Sequence, residues 1–141
     1  MIQAAQNLFP CQIYTSELIE EGFTVIEDVE PTNFEDGHIQ LHVLFKKIDG
    51  SKDLKSRLGL CDVKYFLDHQ QMIPDEFRGN HLVFMGTVLM GLEFGVDYVS
   101  YLTDHVPYLC WNPISHEWTL NFKLMELVGD EEDYGDYDLS V

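Results

Sequence analysis

The segment Leu82-Val83-Phe84-Met85-Gly86-Thr87-Val88-Leu89-Met90 is apolar at nearly every position, so it has no face to turn toward water. A short run of this kind, rich in β-branched and aromatic residues, reads as a central strand of a sheet. Gly86 interrupts it and marks a bulge or a close approach of another backbone.

A central strand needs partners, and flanking segments supply them. Val96 to Leu102 and Pro107 to Trp111 read as strands, and Trp118, Leu120, Phe122 and Leu124 alternate with Thr119, Asn121 and Lys123 as a third. Asn112-Pro113-Ile114-Ser115-His116 has the composition of the hairpin turn between the last two. Upstream, Phe23 to Ile26 reads as a strand, followed by turn signals at Pro31, Asn33 and Asp36-Gly37. In His38 to Phe45 the residues Ile39, Leu41, Val43 and Phe45 alternate with more polar neighbours, which predicts a half-buried strand.

Helical signals are fewer. Asp62 is a candidate N-cap for Val63, Phe66, Leu67 and Gln70 at helical spacing, and Pro74 turns Ile73 away from helical geometry, which predicts a helix over 62–72. A shorter helix is expected over Glu17 to Glu21, capped by Thr15 or Ser16 and stopped at Gly22. Two strands, one helix and four strands define an α+β domain: a mostly antiparallel sheet of five or six strands packed with one main helix. Phe66, Leu67, Val83, Val88, Leu120 and Phe122 are its expected core.

Charge divides the chain. The 25 acids and 8 bases leave a net charge of −17, yet 45% hydrophobic residues are too many for a disordered chain. Residues 1–45 hold Glu17, Glu20, Glu21, Glu27, Asp28, Glu30, Glu35 and Asp36 and no base. Lys46, Lys47, Lys52, Lys55, Arg57 and Lys64 then outnumber Asp49, Asp53 and Asp62, in a segment expected to be a solvated loop. Asp130, Glu131, Glu132, Asp133, Asp136 and Asp138 follow with little that could pack, so the chain reads as a single α+β domain over 1–128 and an acidic disordered tail over 129–141. No stretch approaches the ~18 apolar residues of a membrane span, and Met1 to Gln6 lacks the basic start of a signal peptide. Cys11, Cys61 and Cys110, odd in number and far apart, suit neither a disulfide framework nor a paired zinc motif and point to a reducing, cytoplasmic compartment, and Cys61 and Cys110 read as small core residues.

The motifs that carry chemistry are sparse. His38 and His42 on one face of a strand would stand ~13 Å apart, too far to share an ion. His116-Glu117 and Asp104-His105 are adjacent pairs, whose side chains diverge in strands and turns. Trp111 and Trp118 flank the hairpin and read as a cross-strand pair. No Gly-x-Ser-x-Gly elbow, phosphate loop or Cys-x-x-Cys pair is present, so no cofactor, metal or catalytic residue is assigned.

What remains is charge. Such a balance disfavours direct contact with nucleic acid or membrane and favours the basic surface of a partner protein, including that of a nucleic-acid-binding protein. The leading expectation is a non-enzymatic, acidic binding protein, in its sharpest form a nucleic-acid-mimicking inhibitor or immunity-type protein of a bacterium or phage. Its interaction residues would be the acids of 17–36 and 130–138 named above. Two alternatives stand beside it. One is a single-stranded nucleic-acid binder with basic segment 46–64 and a partner-recruiting tail; the other is an enzyme whose site gathers distant residues such as His69, His81, His105 and Glu117. Elemental analysis of the purified protein is expected to return no stoichiometric zinc.

Overall fold

The computed structural model describes Leu18 and residues 22–32, 40–94 and 100–129. Among the described residues seven strands form one mixed sheet: β1 (Thr24–Glu27), β2 (Lys46–Lys47), β3 (Asp53–Ser56), β4 (His81–Phe84), β5 (Val88–Phe94), β6 (Ser100–Asn112) and β7 (Glu117–Leu124). Their order is β1-β5-β6-β4-β3-β2, with β7 on the other side of β6. The helices given bounds among the described residues are a single turn, α1 (Leu41–Leu44), and the main helix α2 (Leu60–Asp68).

The expected sheet of five or six strands is thus corrected to seven. All pairings are antiparallel except that of β3 with β4. A parallel pair needs a crossover of a dozen residues or more, and the stretch containing α2 supplies it. Sequence reading missed β3 because Asp53-Leu54-Lys55-Ser56 has one apolar residue and sits in a basic run. The two strands expected over 96–102 and 107–111 are one: β6 runs unbroken through Asp104 and Pro107, and residues 96–99 lie outside the described residues.

The apolar run that opens the sequence is a strand broken in the middle. Leu82 and Leu89 are seven residues apart, but their partners Leu109 and His105 on β6 are four apart. Met85, Gly86 and Thr87 therefore form a three-residue step between β4 and β5. Each half takes its own outer neighbour, β3 on β4 and β1 on β5. At the step, Met85 N donates to Ser56 O (2.9 Å) and Gly86 N to Leu58 O (2.8 Å). A Cβ at Gly86 would collide with the Arg57 carbonyl and stand 2.8 Å from that of Leu58, so only glycine fits. Pro107 lies opposite the step, where β6 has no ladder partner on that side, and its missing N–H is tolerated there.

Thr87 fixes the start of α2. Its Oγ1 accepts from Leu60 N (2.7 Å) and donates to Asp28 Oδ1 (2.6 Å), so a residue distant in sequence caps the helix. The helix begins two residues before the expected 62 for this reason, with Asp62 inside its first turn. It ends at Asp68 rather than 72, and a 3-10 turn over Gln70–Met72 leads to an extended Ile73 before Pro74.

One face of the sheet carries the main core. Leu54, Leu82, Phe84, Leu109 and Trp118 meet Val63 and Phe66 of α2, with Phe45 at the centre, its ring 5.4 Å from Phe84 and 6.0 Å from Phe66. Of the expected core, Phe66, Val83 and Val88 are buried, while Leu67, Leu120 and Phe122 pack at its margin. Val83 and Val88 join Val106 on the opposite face in a smaller cluster, covered by Met125 and Val128.

The strand expected over 38–45 is corrected. Leu41 to Leu44 is a helical turn; Leu41 and Phe45, four apart, both enter the core, while Val43 is 59% exposed instead of alternating inward. Residues 38 and 39 lie outside the described residues, as does the helix expected over Glu17–Glu21 except for Leu18, which is helical and buried. The hairpin is as expected: Asn112 Oδ1 accepts from Ile114 N and Ser115 N, and Trp111 and Trp118 meet at 5.8 Å. Replacing Gly86 by Ala should lower unfolding free energy by about 1–3 kcal/mol or more in urea titrations, because the obstructing atoms are backbone. Gly79→Ala, with open space around it, should stay within roughly 0.5 kcal/mol of the parent.

Candidate functional site

The face of the sheet turned away from α2 carries the densest polar cluster among the described residues. Strand alternation puts Asp53 (β3), His81 (β4), Tyr108 (β6) and Lys123 (β7) on it. Lys123 extends across Tyr108, its ammonium 4.5 Å from the ring centroid, and donates to Asp53 Oδ1 at 2.9 Å. His81 Nδ1 lies 3.2 Å from Lys123 Nζ and 3.5 Å from Asp53 Oδ1, so one tautomer accepts from the ammonium and the other donates to the carboxylate. Asp53 Oδ2 accepts from Gly129 N at 2.7 Å. One carboxylate thereby joins three strands and the segment after β7.

Burial pushes the Asp53 carboxyl up, but hydrogen bonds from His81, Lys123 and the Gly129 amide, with the Lys123 charge, outweigh it and hold the group at about 2. Burial raises Tyr108, and the Cys110 and Asp53 charges add to it. Cys110, on the same face, is also raised by burial, with Lys123 and Lys52 offsetting part, so it is a poor nucleophile.

A second polar knot closes the other end of the molecule. Thr32 donates from N and Oγ1 to the Asp62 carboxylate (2.9 and 3.2 Å), next to the Asp28–Thr87 bond. Burial is the first cause raising both carboxyls; Glu30 adds to it at Asp28, and Asp28 adds to it at Asp62.

Of the expected interaction residues, Glu27 and Glu30 are exposed at the β1 edge, whereas Asp28 is half-buried and used within the fold. Glu17, Glu20, Glu21, Glu35, Asp36, Asp130, Glu131, Glu132, Asp133, Asp136 and Asp138 lie outside the described residues. The four residues of the enzyme alternative are not brought together. His69 stacks on Tyr65, His81 and His105 face opposite sides of the sheet, and Glu117 is exposed beside the hairpin. His42 pairs with Glu76 at the surface. Among the described residues no group of three or more His, Cys, Asp or Glu is placed to hold a metal ion.

Cys61 is disulfide-bonded and Cys110 is free. The reading of all three cysteines as isolated thiols is therefore corrected at Cys61, since separation along the chain says nothing about separation in space. The Asp53 cluster was likewise missed: its partners lie 28 to 76 residues away, and no local pattern announces them.

The chain matches no protein-family model, and no curated protein or solved structure matches it significantly.

The carboxyl shifts set an acid profile. Asp53 is lower in the fold than in the unfolded chain, so its contribution, roughly 2 kcal/mol, is complete above about pH 4 and lost as pH falls through about 2. Asp28 and Asp62 are raised, so acidification toward pH 4 relieves them and increases stability. Denaturant titrations from pH 7 to 2 should show a rise and then a steep fall, and Asp53→Asn should flatten the fall.

Proposed function

We propose that the protein is a non-enzymatic binding protein that occupies a basic surface of a partner protein. The observation that carries this reading is unneutralised acid at the surface. Among the described residues, Glu27, Glu30, Asp49, Asp104, Glu117 and Glu126 are exposed and have no ion-pair partner, in a chain of net charge −17. Asp104 and Glu126 also line a shallow depression with Leu102, Thr103, Leu124 and Met125, and Leu102 is 61% exposed. Carboxylates beside apolar surface suit lysine and arginine side chains, whose stems are apolar and whose ends are charged. A nucleic-acid-mimicking inhibitor or immunity-type protein is the finer form of this reading.

One observation favours a second reading, the single-stranded nucleic-acid binder. Lys46 and Lys55 stand opposite each other, exposed on one sheet face, a pair of cations that suits a phosphate backbone. The other exposed acids count against it. A gel shift with labelled single strands at low salt separates the two.

No helix among the described residues is long and apolar enough to cross a membrane. The cytoplasmic placement drew on unpaired cysteines, and the Cys61 disulfide removes part of that support.

The test is a pull-down from lysate at low and moderate salt, followed by kinetics with the captured partner. A basic protein should be retained, and Asp104→Asn with Glu126→Gln should weaken it; capture of nucleic acid without protein would sink the reading. Deleting residues 130–141 should leave the urea midpoint nearly unchanged, slow association at low salt and reduce affinity modestly, because exposed charge acts mainly on encounter. Complete loss of binding in stopped-flow traces would make that segment the recognition element instead.

A further inference from the structure

β6 outruns its neighbour β7. The ladder between them ends where Leu124 pairs with His105, whereas β6 continues to Ser100 with only β5 beside it. After Leu124 the chain leaves the sheet in the 3-10 turn Met125–Leu127. Among the described residues, β6 therefore has no ladder partner on the β7 side over residues 100–104. Along an antiparallel edge every second residue turns its N–H and C=O outward, so this stretch of ~17 Å offers backbone groups to an incoming strand.

The depression that holds Asp104 and Glu126 lies at this edge. Its volume is about 470 Å³, and Leu102, Thr103, Leu124 and Met125 complete the lining. Strand alternation puts Leu102 and Asp104 on one face of the sheet and Thr103 with Leu124 on the other, so the depression straddles the strand edge instead of lying on a face. Three features of the lining point to an occupant. Thr103 Oγ1 is buried and has no hydrogen-bond partner, a rare state for a hydroxyl in a folded chain. Leu102 is exposed despite being a large apolar side chain. Asp104 and Glu126 are exposed and, among the described residues, have no ion-pair partner.

We propose that the β6 edge over residues 100–104 receives an extended, basic segment of the partner protein as an added strand, in the place β7 leaves open. This names the element that does the binding, and so rests on the reading of the protein as a binder of basic surfaces. Backbone hydrogen bonds to the edge supply the hold, and side chains select the segment. A lysine or arginine opposite Asp104 pairs with it across the strands, with Glu126 in the same depression. An apolar residue two positions along covers Leu102. The added backbone brings donors and acceptors to the edge where Thr103 Oγ1 lacks one. A second copy of this chain is a poor occupant, because its net charge of −17 sets acid against Asp104 and Glu126.

The probe is a capped hexapeptide of alternating lysine and valine, titrated into the isotope-labelled full-length protein. Amide resonances of residues 100–105 should shift, and outward amides there should gain protection from hydrogen exchange. Methylating the backbone nitrogens of the peptide should weaken binding about tenfold or more, because its donors to the edge are lost. Asp104→Asn with Glu126→Gln should weaken it roughly three- to tenfold, a difference that fades at about 0.5 M salt as charge is screened. Leu102→Lys, at an exposed position, should abolish binding and leave the urea midpoint unchanged. Shifts confined to other parts of the protein, equal binding of the methylated peptide, or no binding at all would each overturn the proposal. So would resonances of 100–105 that move with protein concentration, which makes the occupant a second copy, or on deletion of 130–141, which makes it the chain's own segment. The broader reading fails separately, when a pull-down retains no basic protein. A basic protein retained equally by the parent and by Leu102→Lys leaves that reading standing and defeats the added strand.

Discussion

The architecture depends on how closely the backbone at Gly86 approaches the carbonyls of Arg57 and Leu58. That contact is possible only without a side chain, and it holds the step that divides one long apolar strand into β4 and β5. Because the two halves are offset, β3 and β1 attach to different stretches of the same strand, and the sheet widens to seven strands around a single long β6. The same step places the Thr87 hydroxyl where it caps α2 and receives support from Asp28, so helix position and strand offset are one constraint.

A second hub acts on the opposite face. Asp53 would be a costly buried carboxylate by itself, and it is tolerated because an ammonium, an imidazole and a backbone amide converge on it. Removing one of those partners would leave the charge uncompensated, which is why a lysine from β7 and a glycine beyond it are drawn to β3. The hub also holds Gly129, beyond β7, against Ile48 in the β2–β3 turn.

These two constraints separate the molecule's tasks. The α2 face is apolar and aromatic and supplies the core. The other face holds the small Val83–Val88–Val106 cluster and the Asp53 hub, with bases toward the β2 edge and the Asp104 and Glu126 carboxylates in a depression on β6. The edges are handled individually. β2 carries two lysines, and the Gln70 side chain bonds both N and O of Trp118 on β7, meeting that edge with side-chain amide groups.

Periodicity and turn chemistry alone were enough for β7, the Asn112–His116 hairpin, the central strand with its interruption at Gly86, and the existence of a main helix, because each is a local pattern in which neighbouring side chains and backbone preferences agree. The charge division was equally legible, being a count. Tertiary structure decided the rest. Leu41 and Phe45, four residues apart, enter the core from a helical turn because Phe66 of α2 and Phe84 of β4 receive Phe45 there, overriding an alternation that reads as strand. Asp53-Leu54-Lys55-Ser56 becomes a strand only because β4 offers it a parallel ladder. The Asp53–His81–Lys123–Gly129 cluster and the cap on α2 join residues tens of positions apart, and no window along the chain contains such a contact; their energies exist only once the sheet has brought the groups together.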